Sequence, residues 1–527
     1  MRRWDRAAIL LGVLLVCVTL LVYSPVRHYS FLTLDDDAYV PQNQYVNTGL
    51  TLDHVGYVFT HSIEANYTPL AWISYMLDCQ IFGLHPAALH LENIVLHAAN
   101  AALVFWLLLL ATGARWRSFL VAAFFALEPM NVETAAWIAE RKSLLSALFC
   151  LLAMAAYGWY AKRPGRKRYL LVALASLAAM LAKPMAVTLP LLFLLLDQWP
   201  LQRWESASRE QRRSLVLEKV PLLLLSLLIA AAAYWAQGKG GGLSVGTPLP
   251  VKLETALVAC AAYLKSFVLP VHLSPYYPHP EQLLPGWQVA LSLLVLLLCS
   301  LAVYHLRARR YIVVGWLWYL VALLPASGLV KFGHILRADR FTYLPFLGLF
   351  VIVVWGCVEL AEKHPAARKP FMAAAVCVLV AMAALLSAYL PCWRNGVTVM
   401  SRARAEAPPD FAIEELLGEA LTNAGDEAQA MPHYQQSCRM NPHFDDCHIN
   451  LAVAYYNRGD AEAAIEEYKF TLGYTTSPRT ALLCLVNSAK IAIKQGNYAM
   501  ASSLLSGAMQ IDPANTEARA LAESIGR

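Results

Sequence analysis

Apolar residues dominate this chain in long runs, and polar residues return between them at short intervals. The runs fall near 8–24, 94–111, 118–132, 143–161, 169–182, 186–197, 220–236, 286–306, 311–329, 341–361 and 371–390. Runs this long and this poor in charge suit lipid, where a helix satisfies its own backbone. The pattern therefore predicts an all-α protein whose first part is a polytopic bundle of about eleven spans. A further run at 253–271 lies between two segments that must share one side of the membrane. It is expected to be a re-entrant or interfacial helix, or one half of an unrecognised pair.

After Trp393-Arg394 the runs stop and a second period begins. Leu417-Gly418, Leu421, Gly425, Ala430, Tyr434 and Pro442 recur 34 residues on as Leu451-Ala452, Tyr455, Gly459, Ala464 and Tyr468. After a three-residue slip they recur again as Ser488-Ala489, Ala492, Gly496, Ala501, Leu505, Ala508 and Pro513. Small residues where two helices touch, with glycine at the turn, are what closely packed helix pairs require. The period resembles the tetratricopeptide repeat, with three copies over 410–514 and a capping helix near 515–526. Such arrays stack into an α-solenoid whose groove takes extended peptides, or they serve as a structural platform. The expected organisation is a membrane domain at 1–393 with a first outer loop at 25–93, a linker at 394–409 and a repeat domain at 410–527.

Composition narrows the class. Of 527 residues, 58% are hydrophobic and 15% charged, which excludes a soluble globular protein of this size. The first run follows Met1-Arg2-Arg3, yet Val22-Tyr23-Ser24-Pro25-Val26 offers no small-residue cleavage site, so it reads as a retained span. The net charge of +6 is mild, and many basic residues sit in short interhelix loops, which argues against nucleic-acid binding. Those loops mark the cytoplasmic side, and an odd number of crossings then places the C-terminus outside, with loop 25–93. The cysteines show neither zinc-ligand nor disulfide-framework spacing, although Cys438 and Cys447 can pair in an oxidising compartment.

Candidate chemistry concentrates on the outer face. Leu34-Asp35-Asp36-Asp37 places three carboxylates just beyond the first span, where their mutual repulsion calls for a cation, a metal or a bound substrate. The alternative is a solvated turn with an aspartate as helix cap. Glu128-Pro129-Met130-Asn131-Val132-Glu133 ends the third run and leads to Trp137 and Glu140-Arg141-Lys142. Lys183-Pro184 interrupts a later apolar stretch, to bind an anionic phosphate or to snorkel. Lys331, His334, Arg337, Asp339 and Arg340 form a basic cluster where basic residues are disfavoured, which points to a lipid-linked phosphate or to a structural ion-pair cluster. Trp72, Tyr276 and Tyr277 suit either stacking on sugar or isoprenoid, or an interfacial belt. Acidic residues in the first loop and basic residues at later span ends together suit transfer of a sugar from a polyprenyl phosphate.

Over nearly its whole length the chain resembles the family of multispan proteins with C-terminal tetratricopeptide repeats whose eukaryotic members are O-mannosyltransferases. The most specific stretches are Asp35-Asp36 with Tyr39-Val40, Asn131-Val132-Glu133 through Trp137 to Lys142, and Lys183-Pro184-Met185 through Pro190. Tyr277-Pro278-His279-Pro280 and Ala338-Asp339-Arg340-Phe341-Thr342-Tyr343 complete the set. The resemblance implies a GT-C glycosyltransferase fold, a polyprenyl-phosphate-linked sugar as donor and a protein acceptor presented by the repeats. It implies Asp35 or Asp36 as base, Lys183, Arg337, Arg340 and Arg141 for donor phosphate, and Glu128, Glu133, His279, Asp339 and Tyr343 for substrate. A divalent metal is compatible with this reading and not required by it. Two departures stand out: Thr68 and Glu128 each precede a proline where the family pattern has histidine. The competing readings are a transferase acting on a lipid or surface glycan, and a non-catalytic membrane scaffold. The compact loops and short repeat tail suggest a bacterial inner membrane with periplasmic repeats; a eukaryotic source would place the same face in the endoplasmic-reticulum lumen.

Overall fold

The computed structural model describes residues 5–63, 66–205, 207–239, 248–280, 282–329 and 335–525. Glu64, Lys331 and His334 lie outside the described residues. The chain divides into two compact units, Met1–Val399 and Met400–Arg527. Both are helical; among the described residues the named strands are the short antiparallel pair Tyr277–Pro278 and Ile335–Arg337.

In the first unit every expected apolar run falls on a helix. Among the described residues, six helical segments are long and apolar enough to cross a membrane: Arg6–His28, Pro86–Thr112, Ile138–Lys162, Arg209–Gly238, Gly286–His305 and Pro365–Arg394. The remaining runs form shorter helices, among them Pro184–Gln198 and Arg310–Ala326. Only 6% of the apolar window of Gly286–His305 is buried within the protein, so its surface is left for lipid. The chain is a multi-pass membrane protein. The ambiguous run at 253–271 lies on the helix Leu249–Val268, which packs against Gly286–His305 and approaches the strand Ile335–Arg337.

Local sequence explains the element ends. Pro86 opens the helix Pro86–Thr112, and Gly113 closes it with a left-handed φ of 70°. The helices Arg310–Leu323 and Phe346–Lys363 cross at Gly315 and Gly348, where a Cβ on Gly315 would lie 2.5 Å from the Gly348 carbonyl oxygen. Their backbones touch there, and no larger residue fits.

Loop 25–93 is built from short helices. Asn43 caps Gln44–Asn47, and Thr51 caps Leu52–Thr60. Pro69 opens Pro69–Phe82, whose inner face buries Trp72, Tyr75 and Asp78.

The second unit contains the helix pairs Phe411–Asn423 with Glu427–Met440, Asp445–Asn457 with Ala461–Leu472, and Pro478–Lys494 with Tyr498–Ile511, followed by Thr516–Ile525. Gly425, Gly459 and Gly496 take φ values of 83°, 87° and 74° at the three intra-pair turns, a conformation that favours glycine. Ala452, Ala464, Ala489 and Ala501 are fully buried at the helix contacts. Cys438 and Cys447 are joined in a disulfide, with Cα atoms 5.6 Å apart. With His448 they form the one grouping of metal-ligand type found among the described residues. The disulfide already occupies both sulfurs.

Candidate active site

Asp35 and Asp36 begin the short helix Asp36–Tyr39, and their side chains part company at once. Asp36 is fully buried. Its Oδ2 accepts the Leu32 N–H at 2.9 Å and its Oδ1 accepts the Ala139 N–H at 2.8 Å. Burial pushes its carboxyl up to about 8, against the pull of those two amides. Asp36 thereby ties loop 25–93 to the turn that carries Trp137, Ile138 and Ala139. The Asp35 side chain remains 35% exposed, with its Oδ2 at 3.7 Å from Lys142 Nζ. Asp37 is half-buried and takes no part in these contacts.

Lys142 begins a row of alternating charges. Its Nζ donates to the Tyr39 hydroxyl at 3.1 Å and lies 3.5 Å from Glu140 Oε1. Glu140 is buried and also meets Lys183 Nζ at 3.0 Å and Arg340 Nε at 3.4 Å. Three cations therefore converge on one carboxylate. Ser143 donates to Glu140 and receives a 2.7 Å bond from Lys183 Nζ. Arg340 continues the row to Glu133 through its guanidinium and through its backbone N–H at 2.9 Å. A small cavity of about 40 Å³ touches Ser143, Lys183, Arg340 and Phe341, room for little more than a water.

A second lobe adjoins the row. The strand pairing brings Tyr277 beside Arg337, whose guanidinium lies 3.7 Å above the Tyr277 ring. The Tyr277 hydroxyl donates to Asp339 Oδ1 at 3.0 Å. Asp339 is fully buried, and its other oxygen has no hydrogen-bond partner among the described residues. Burial, reinforced by the Glu133 carboxylate, raises the Asp339 carboxyl above the usual carboxylate range. Glu128 Oε1 is likewise buried without a partner among the described residues. His279 is buried just beyond the strand.

Arg141, an expected site residue, sits elsewhere. Arg141 is fully buried and faces away from the row, donating to Asn93 Oδ1 at 2.9 Å, Glu92 Oε2 at 2.9 Å, the Leu89 carbonyl at 2.8 Å and Asp78. Its donors are spent on holding the helices together, so it is not placed to meet a donor phosphate. Tyr343 lines the small cavity beside Lys183 and Arg340, but its buried hydroxyl is turned to His97 Nδ1 at 2.7 Å and Asn100 Nδ2 at 3.3 Å. Trp72 is core, edge-on to Tyr39 at 4.5 Å, and offers no face to a sugar. Sequence reasoning passed over the polar stripe His90, Asn93, His97 and Asn100 on Pro86–Thr112, which binds the backbone at Trp137, Ala126 and Leu144. Its helical spacing within an apolar run was the available signal.

An all-α multi-pass membrane protein with a buried carboxylate–cation row on one end of its bundle and a helix-pair repeat unit is the class these features define. No family model matches the chain. Protein O-mannosyl-transferase TMTC4 of Mus musculus is 24% identical over 436 residues, covering 71% of this chain and 58% of that protein. The human TMTC4 is 25% identical over 434 residues with the same coverage, and human protein O-mannosyl-transferase TMTC2 is 34% identical over 106 residues, 20% of this chain and 13% of that protein. The chain is O-mannosyl-transferase-like in sequence, and its match spans little more than half the length of the first of these relatives. A solved chain titled "Crystal structure of APC/C hetero-tetramer Cut9-Hcn1" aligns over 87% of this chain and 90% of its own, at 13% identity and a TM-score of 0.24, too low to argue from.

Proposed function

We propose that this protein transfers a sugar from a polyprenyl-phosphate donor to a hydroxyl of a protein acceptor, on the membrane face opposite the basic loops. The observation that carries the reading is the half-exposed Asp35 carboxylate at the rim of the row formed by Lys142, Glu140, Lys183, Arg340 and Glu133. Asp35 is the base: it takes the proton of the acceptor hydroxyl as that oxygen attacks the anomeric carbon. The bond from that carbon to the phosphate oxygen breaks, and polyprenyl phosphate leaves with its developing charge met by Lys183 and Arg340. Arg337 and Asp339 border the sugar, and Glu128, Glu133 and His279 complete the polar wall. The helix pairs of the second unit favour a protein acceptor over a glycan. A bacterial inner membrane with periplasmic repeats is the setting that fits the compact loops and the Cys438–Cys447 disulfide.

The test is sugar transfer by purified full-length protein, with polyprenyl-phosphate mannose as donor probe. Asp35→Asn is expected to lower transfer at least a hundredfold (on the order of the 10²–10⁴ a general base supplies) with thermal stability unchanged. Full activity in that variant would remove Asp35 from the mechanism.

A further inference from the structure

A second cavity lies in the bundle, away from the carboxylate row. It measures about 500 Å³ and lies between the C-terminal halves of Pro86–Thr112, Arg141–Lys162 and Leu189–Gln198, with Arg310–Leu323 and Phe346–Lys363 as its far wall. Along Arg141–Lys162 the row begins at Lys142 and the cavity ends at Lys162, about 30 Å away at 1.5 Å per residue. The row and the mouth of the cavity thus lie at opposite ends of that helix.

The lining is apolar, with Val104, Leu108, Leu151, Met154 and Val351 among it. Its shape follows from glycine. The Gly315–Gly348 crossing draws two helices into backbone contact and leaves no side chain to fill the space beside them. Gly158 does the same opposite, since a Cβ there would meet nothing within 4 Å. A mostly apolar space of this size falls in the range of about 300–1,000 Å³ that holds small ligands.

The mouth has a different chemistry. Trp159, Trp199, Lys162 and Arg203 stand there, at the end that carries Arg163, Arg166, Lys167 and Arg168. Arg203 is already paired with Asp197 at 2.9 Å and Glu218 at 2.8 Å. Lys162 has no carboxylate partner among the described residues, although it borders a cavity whose other cation is neutralised. Aromatic residues at headgroup level above an apolar slot, with an uncompensated cation beside them, match an amphiphile with an anionic head.

We propose that this cavity binds an acyl chain of an anionic membrane phospholipid, with the lipid phosphate seated on Lys162. The site is separate from the carboxylate row and holds whether or not that row is catalytic. The bound chain completes the packing between helices that glycine leaves open.

The test uses the full-length protein and native mass spectrometry with phosphatidylglycerol and phosphatidylcholine as probes. Wild type is expected to retain one phosphatidylglycerol at least tenfold more tightly than phosphatidylcholine. Lys162→Gln should remove most of that preference while chain binding persists, and Gly158→Leu should lower occupancy by both lipids at least tenfold. Equal retention of the two lipids by wild type overturns the anionic head, and undiminished occupancy in Gly158→Leu overturns the cavity. Should Gly158→Leu fail to fold, a photoreactive-chain phosphatidylglycerol on wild type decides. Labelling within 151–162 and 196–203 supports the site, and labelling confined to other helices overturns it.

Discussion

Asp35 and Asp36 differ in what reaches them. Asp36 has both oxygens on backbone amides and no access to solvent, whereas Asp35 opens at the rim beside Lys142. Asp36→Asn turns one acceptor into a donor facing an amide and is expected to lower stability by about 1–3 kcal/mol, read as faster proteolysis of loop 25–93. The raised Asp36 carboxyl has a pH consequence as well. Because the folded state holds this proton more tightly than the unfolded chain, its contribution is full below about pH 4 and is lost as pH rises through about 8. Protease resistance of the loop should therefore fall between about pH 4 and about pH 8, and Asp36→Asn should flatten that fall. Arg141 shows the opposite lesson for a neighbour of a site residue. Arg141→Lys cannot keep the fork to Asn93, Asp78 and Glu92, and partial loss of that buried network should destabilise the fold by several kcal/mol, on the order of 3–5. The readout is a loss of folded protein, with donor KM unchanged in what remains.

At the scale of elements, the apolar runs were legible because lipid demands length and lack of charge. Every run became a helix, and each repeat pair fell where its glycine and small residues placed it. Close approach between particular helices was not legible. Gly315 and Gly348 are 33 positions apart in sequence and carry no periodic signal, yet their backbones meet. Gly315→Ala is expected to force the two helices apart and to lower thermal stability by roughly 1–3 kcal/mol, an overpacking effect measurable by thermal unfolding in detergent. The polar stripe from His90 to Asn100 was readable by spacing, but its role of holding the Trp137 and Leu144 carbonyls depends on which helix packs beside it.

For the whole molecule, the two compact units divide the labour in the proposed reaction. Deletion of 411–527 is expected to leave sugar transfer to a short free acceptor peptide within a few-fold of wild type and to abolish transfer to full-length protein acceptors; glycopeptide mass spectrometry reads both. The sequence by itself determined the all-α class and where the apolar and repeat helices fall, because hydrophobic periodicity is a property of the chain alone. Tertiary structure decided which members of each motif meet. Arg141 and Lys142 are consecutive, and a helix turns about 100° between them, so one packs against loop 25–93 at Asp78 and the other faces Asp35. Nothing local chooses between the two. The choice falls to the partners waiting on each side, Asp78 and Glu92 on one and Tyr39 and Glu140 on the other, and those come from segments that only folding brings together.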